Sequence, residues 1–153
     1  MPPSKRTSAA GRTGRIALKR VYEPAGKDDG TRILVDRLWP RGLKTEKAKI
    51  DLWLRDIAPT DELRKWFHHD PDNWPQFRKW YRQEIGRRPD LLQPIKEALE
   101  HGDVTLLYAA KDEARNNAVV LKERLEKGLE ASARAKARKK AAAASSAPSP
   151  RTR

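Results

Sequence analysis

Two short runs, Arg32-Ile33-Leu34-Val35 and Val104-Thr105-Leu106-Leu107-Tyr108-Ala109, are apolar without the in-and-out alternation of a half-exposed strand. A strand that is apolar at consecutive positions must be covered on both faces, which is the situation of a strand inside a parallel sheet. A third run, Ile16-Ala17-Leu18-Lys19-Arg20-Val21-Tyr22, carries β-formers and stops at Glu23-Pro24-Ala25-Gly26. Asp28-Asp29-Gly30 and Gly102-Asp103 are turn signals that introduce the other two runs. Between and after the strands, apolar residues recur at helical spacing. Thr60-Asp61-Glu62 reads as the cap and acidic first turn of a helix reaching Phe67 or His68. Further helices are expected from Asp72 to Gly86, from Pro89 to His101 and from Asp112 to about Glu130. Strands followed by helices, with crossovers too long for hairpins, predict an α/β fold with a small, mainly parallel sheet covered by helices.

A chain of 153 residues suits one such domain. The net charge of +13 is unevenly placed: residues 1–14 carry +3 and no acid, residues 131–153 carry +7 and no acid, and residues 15–130 carry only +3. The expected organisation is therefore a disordered basic N-terminal tail over 1–14, the α/β domain over 15–130, and an Ala/Lys/Arg/Pro-rich basic tail over 131–153. Charge gathered on tails serves non-specific attraction to polyanions, so DNA or RNA is the expected partner of Arg134, Lys136, Arg138, Lys139 and Lys140. The absence of cysteine excludes disulfides, zinc thiolates and thiol catalysis. No apolar run approaches the roughly 18 residues that span a bilayer, and the opening MPPSKRTSAAGRTGR has no apolar segment of a secretory signal. A soluble cytoplasmic protein without a membrane partner is expected.

The loop Asp36-Arg37-Leu38-Trp39-Pro40-Arg41-Gly42 follows directly on the second strand. Ligands of open parallel sheets collect beyond the carboxyl ends of strands. Pro40 fixes its own φ and drives Trp39 into an extended conformation, and Gly42 permits a tight exit. Arg37 and Arg41 could thus form a fork for phosphate or carboxylate, with Trp39 as a stacking surface or pocket wall. The competing structural reading puts Trp39 in the core and pairs the arginines with Asp36, Asp51 or Asp56. At the end of the third strand, Tyr108-Ala109-Ala110-Lys111-Asp112 offers Asp112 as a helix cap and Lys111 as a neutralising cation. If both strand ends lie on one side, Arg37, Arg41, Tyr108 and Lys111 converge.

Adjacent histidines at His68 and His69 point to different faces of one element, and the remaining histidine is the distant His101. No metal site and no cofactor is expected, since zinc needs three or four convergent ligands. His69, held by Asp70, could act as a general base or as a structural hydrogen-bonding group. Trp53, Trp66, Trp74 and Trp80 fall at helical spacings with other apolar residues and read mostly as core.

The stretches LKRVYEPAGKDDGTRILVDRLWPRGL, WLRDIAPTDELRKWFHHDP and TLLYAAKDEARNNAVVLKERL, in that order over about residues 15–127, resemble the YeaO-like branch of the bacterial family called domain of unknown function 488. The resemblance implies a compact bacterial α/β domain and brings no substrate, cofactor or reaction with it. Members of the family commonly read K-D-E-E-H-N-H-A after the last strand; here Arg115 and Asn117 stand where histidines are usual. Either those histidines are dispensable or this chain has become a binder. Two functions remain open. One is an anion-binding cleft for a phosphate or nucleotide, held by Arg37, Arg41 and Lys111, on a domain tethered to nucleic acid by its tails. The alternative is a small enzyme acting on a nucleotide or related anion, with Asp56, His69 or Asp70 as acid or base and Tyr108 orienting the substrate.

Overall fold

The computed structural model describes residues 14–69 and 71–146. Four strands, β1 (Ile16–Arg20), β2 (Thr31–Leu34), β3 (Leu52–Trp53) and β4 (Val104–Tyr108), form one sheet in the order β1-β4-β2-β3. Every pairing is parallel, and β4 lies between β1 and β2, with Leu106 opposite Leu18 on one side and Ile33 on the other. All five residues of β4 are buried, as a strand covered on both faces requires, and the hydroxyl of the one threonine among them, Thr105, donates to the Asp29 carbonyl at 2.7 Å.

Successive residues of each strand face opposite sides, and the two faces are covered differently. Ile33, Val35, Leu106 and Tyr108 belong to the larger core. Against it pack α2 (Asp61–His69), α3 (Trp74–Arg87), α4 (Gln93–His101) and α5 (Asn117–Ser146), through side chains such as Leu63, Tyr81, Ile95 and Leu121. Leu34 and Leu107 face the other way and meet Trp39, Leu43, Ile50 and Trp53. That second face is sealed by the segment between β2 and β3, whose only helix is the single turn α1 (Thr45–Ala48). A patterned sequence reveals long helices; a sheet face covered by a loop leaves no periodic mark, and both α1 and β3 are too short to show one.

The Asp28-Asp29-Gly30 turn is fixed by charge and by space. Asp29 accepts hydrogen bonds from the Gly26 amide and the Lys19 ammonium (both 2.9 Å) and pairs with the Arg32 guanidinium. Arg32 also donates to the carbonyls of Lys49 and Ala48 (2.9 and 3.0 Å), tying the end of α1 to β2. Gly30 has φ +66°, and a Cβ there would sit 2.1 Å from the Asp103 carbonyl oxygen, so no other residue fits. Among the described residues no helix is long and apolar enough to cross a membrane.

The helix boundaries follow local chemistry. Thr60 caps α2, its hydroxyl accepting from the Leu63 amide at 3.3 Å while donating to Glu84 at 2.7 Å. For α5 the cap is Asn116 and not Asp112: the Asn116 side-chain oxygen Oδ1 accepts from the Val119 amide at 3.1 Å. Asp112 instead closes the preceding turn, accepting from the amides of Ala114 and Arg115 (2.9 and 3.0 Å). The helix also continues well past Glu130, to Ser146. Four of the five tryptophans are partly buried against one core or the other, and Trp80, on α3 beside Trp66, is 40% exposed.

Candidate functional site

A cleft of about 460 Å³ opens at the carboxyl end of the sheet, where the chain leaves β2 and β4. Its walls come chiefly from four places, with Tyr22 after β1 and Phe77 of α3 completing them. The loop after β2 supplies Asp36 to Arg41, and the loop after β4 supplies Ala109, Ala110 and Lys111. The approach to α2 and α2 itself supply Ala58, Pro59, Arg64, Phe67 and His68, and the start of α5 supplies Arg115, Asn116 and Asn117.

The DRLWPRG loop is held in shape by hydrogen bonds and by one special backbone position. Gly42 has φ +74°, the left-handed conformation that lets the chain turn out of the loop. The Trp39 indole donates to the Leu43 carbonyl at 2.8 Å and packs edge-on against Trp53 (5.3 Å between centroids), whose own indole donates to the Asp36 carbonyl at 2.8 Å. The Tyr22 hydroxyl donates to the Arg41 carbonyl at 2.8 Å, pinning the far end of the loop. Trp39 is thus core on one side and cleft wall on the other, so both roles considered for it meet in one side chain.

The arginines do not take up the acidic partners that the structural reading offered them. Arg37 donates to the carbonyls of Pro59 and Ala58, both at 3.3 Å. Among the described residues Arg37, Arg41, Lys111 and Arg115 enter no ion pair; Arg64 alone of the cleft cations does, with Asp61 at 3.1 Å. Five cations line one cavity in which Asp36 is the only acid among the described residues. The Asp36 carboxylate accepts from the Ala109 amide at 2.9 Å and from the Asn117 carboxamide at 3.1 Å, and that carboxamide also donates to the Val35 carbonyl at 2.9 Å. Burial pushes the Asp36 carboxyl above the ordinary value of 3.8, against the downward pull of those two hydrogen bonds and of Arg64 and His68.

The structure brings Arg37, Trp39, Arg41 and Lys111 together on the cleft. It does not bring Asp56 or Tyr108 there. Asp56 lies exposed on a 3-10 turn, and Tyr108 is 3% exposed within the core, where burial followed by the negative Glu113 and Glu23 raises its hydroxyl above the usual 10. His69 is the last residue of α2 and its side chain lies outside the described set; Asp70 lies outside the described residues altogether. Among the described residues the histidine on the cleft is His68. Helical geometry could have found it, since Arg64, Phe67 and His68 share one face at spacings of three and four residues. Asp36 and Asn117 carried no such signal, because they meet across 81 positions of sequence. Arg115 and Asn117, the two departures from the family pattern, both line the cleft. Among the described residues no group of three or more histidines or carboxylates could hold a metal ion.

Comparison with known proteins fits this architecture. A family model described as the inactive DUF488-N3 subclade matches residues 15–149. The uncharacterised protein YeaO of Escherichia coli K12 is 42% identical over 110 residues, covering 72% of this chain and 96% of YeaO. An uncharacterised protein of Mycobacterium tuberculosis H37Rv is 36% identical over 114 residues, covering 74% of this chain and 96% of its own length. No solved structure matches.

Proposed function

The chain belongs to the YeaO-like branch of the DUF488 family, within the DUF488-N3 subclade, and on that footing we propose that it is a non-catalytic binding module whose cleft holds a phosphate-bearing ligand. The observation that carries this reading is the imbalance of charge: Arg37, Arg41, Arg64, Lys111 and Arg115 line one cavity with a single acid among the described residues, and all of these cations but Arg64 enter no ion pair there. Cations left without ion pairs at the mouth of a concave site are what phosphate recognition requires. The subclade's description as inactive favours binding over turnover. So does the replacement, at Arg115 and Asn117, of the histidines usual in the family. Of the groups named for the acid–base alternative, Asp56 and Tyr108 do not line the cleft.

The reading has a direct test with pyrophosphate as the probe, followed by calorimetry at low salt. Arg41 and Lys111 are exposed, so replacing both with alanine leaves the core untouched. The double variant should bind pyrophosphate at least tenfold more weakly, a loss of about 1.4 kcal/mol, which is modest for two charge-assisted contacts. Equal binding by the double variant and the unaltered chain would remove the cleft as the anion site.

The second part of the proposal concerns nucleic acid. The distal part of α5 presents Arg134, Arg138 and Lys139 as exposed cations, and Lys136 and Lys140 belong to the same segment. No acid interrupts residues 131–153. Such a segment suits non-specific contact with the phosphates of DNA or RNA.

A further inference from the structure

The cleft has two chemically different ends. At its mouth stand the exposed cations Arg41, Lys111 and Arg115. At depth lie Phe77, which is 2% exposed, and the half-buried carboxylate of Asp36. Trp39, Pro59 and Phe67 add apolar surface to the lining.

The scaffolding contacts of Asp36, to β4 and α5, do not use all of its acceptor capacity. Its two hydrogen bonds come from neutral donors, one to each carboxylate oxygen, and among the described residues no lysine or arginine pairs with it. A carboxylate oxygen accepts two hydrogen bonds, so one acceptor position is left on each. For a bare phosphate such a group is a liability, since its charge opposes the anion. It becomes useful when the ligand brings donors of its own. Two acceptor positions side by side match two adjacent N–H groups.

We propose that the cleft takes a phosphorylated planar heterocycle with two neighbouring N–H donors, of which a guanine nucleotide is the common example, the donors meeting Asp36 and the phosphate lying among Arg41, Lys111 and Arg115. This rests on the anion-cleft reading above. Guanine presents a ring N–H beside an exocyclic amino group. Adenine and cytosine set their amino group beside a ring acceptor, which the second carboxylate oxygen repels, and uracil has one N–H between two carbonyls. A cavity of about 460 Å³ lies within the usual range for small-ligand sites.

The test is calorimetry on the full chain at pH 7 with GMP, IMP, AMP, guanosine and inorganic phosphate as probes. GMP should bind at least tenfold more tightly than IMP, which lacks the exocyclic amino group, than AMP, and than guanosine. Equal binding of all three nucleotides and phosphate would overturn the base preference and leave the anion site standing. Guanosine binding as tightly as GMP, with phosphate silent, would overturn the anion reading and this proposal with it. Silence from every probe would overturn both. In Asp36→Asn the preference for GMP over AMP should disappear while phosphate binding persists. That variant also alters the contacts to Ala109 and Asn117, so its melting curve is recorded alongside and the ligand series on the unaltered chain decides if it fails to fold. A GMP preference unchanged in a folded Asp36→Asn variant would overturn the role given to Asp36.

Discussion

Asp29 and Asp36 show how little an aspartate's neighbours in sequence say about its charge. Burial pushes the Asp29 carboxyl up, but the Gly26 amide, Lys19 and Arg32 outweigh it and hold the group below 3.8. Asp36 has only neutral donors in contact, and burial prevails. The two therefore act oppositely on folding. Asp29 contributes stability that is complete above the carboxyl value of the unfolded chain and is lost as pH falls through its lower folded value. Asp36 weighs against the folded state as pH rises from the unfolded value toward its higher folded one. Asp29→Asn should then lower stability at pH 7 by about 3 kcal/mol, because it leaves Arg32 buried without its counter-charge. It should also flatten the loss of stability below pH 3.8. Urea unfolding at pH 7 and at pH 3 measures both effects, and an acid limb as steep in the variant as in the unaltered chain would assign that loss to other carboxylates. The sequence announced Asp29 as a turn residue, and said nothing of the salt bridge that makes the turn. Asp36 was legible as the start of a loop and illegible as the acid of a cleft, because its environment is assembled from β4 and α5.

At the scale of elements, whatever had length was legible. The apolar runs gave β1, β2 and β4 to within about two residues, and Thr60 marked the start of α2. The start of α5 was read five residues early because Asp112 and Asn116 are both good capping residues. What separates them is tertiary: Asn117 must reach back to Val35 and Asp36, and that contact sets where the helix begins. Asn116 is 2% exposed and, besides capping, donates to the Asp112 carbonyl at 2.8 Å. Asn116→Ala should cost at least about 1 kcal/mol, the usual value of a cap, and Asp112→Ala should cost less, since Asp112 is exposed. Thermal melts of the two variants give the order, and a larger loss for Asp112→Ala would return the cap to that residue. The cross-brace of α3 and α5, in which Arg78 and Arg82 share Glu123 at 2.8 and 3.0 Å, had no sequence signal at all.

For the whole molecule, α5 joins two regions of different character. Its first residues floor the cleft, its next turns fill the core as far as Leu129, and its remainder carries the basic segment. At 1.5 Å per residue, Asn117 and Arg138 stand roughly 30 Å apart along the helix. Among the described residues, none beyond 130 belongs to the core or lines the cleft, and a truncation of residues 131–153 follows that boundary. Affinity for a DNA or RNA duplex should fall steeply with salt, each phosphate neutralised adding about 0.9 to the logarithmic slope, and most of it should vanish on that truncation. Pyrophosphate binding should be unchanged. Full nucleic-acid affinity in the truncated chain, measured by fluorescence anisotropy over a salt series, would move that contact to the domain. The charge pattern made the tail legible, and its Ala, Lys and Arg residues favour the helical extension that runs to Ser146.

The place of β4 has a consequence for how the chain comes together in time. β1 and β2 lie on either side of it and share no hydrogen bonds with each other. During synthesis the first strand waits for residues 104–108 before it has any neighbour, and β2 has only the two-residue β3. Loop closure over some 85 residues must precede the gain from those contacts, which places this small domain among the slower folders of its size. Until then the ribosome holds out two strands with open edges, and the last strand to arrive is the one that makes them a sheet.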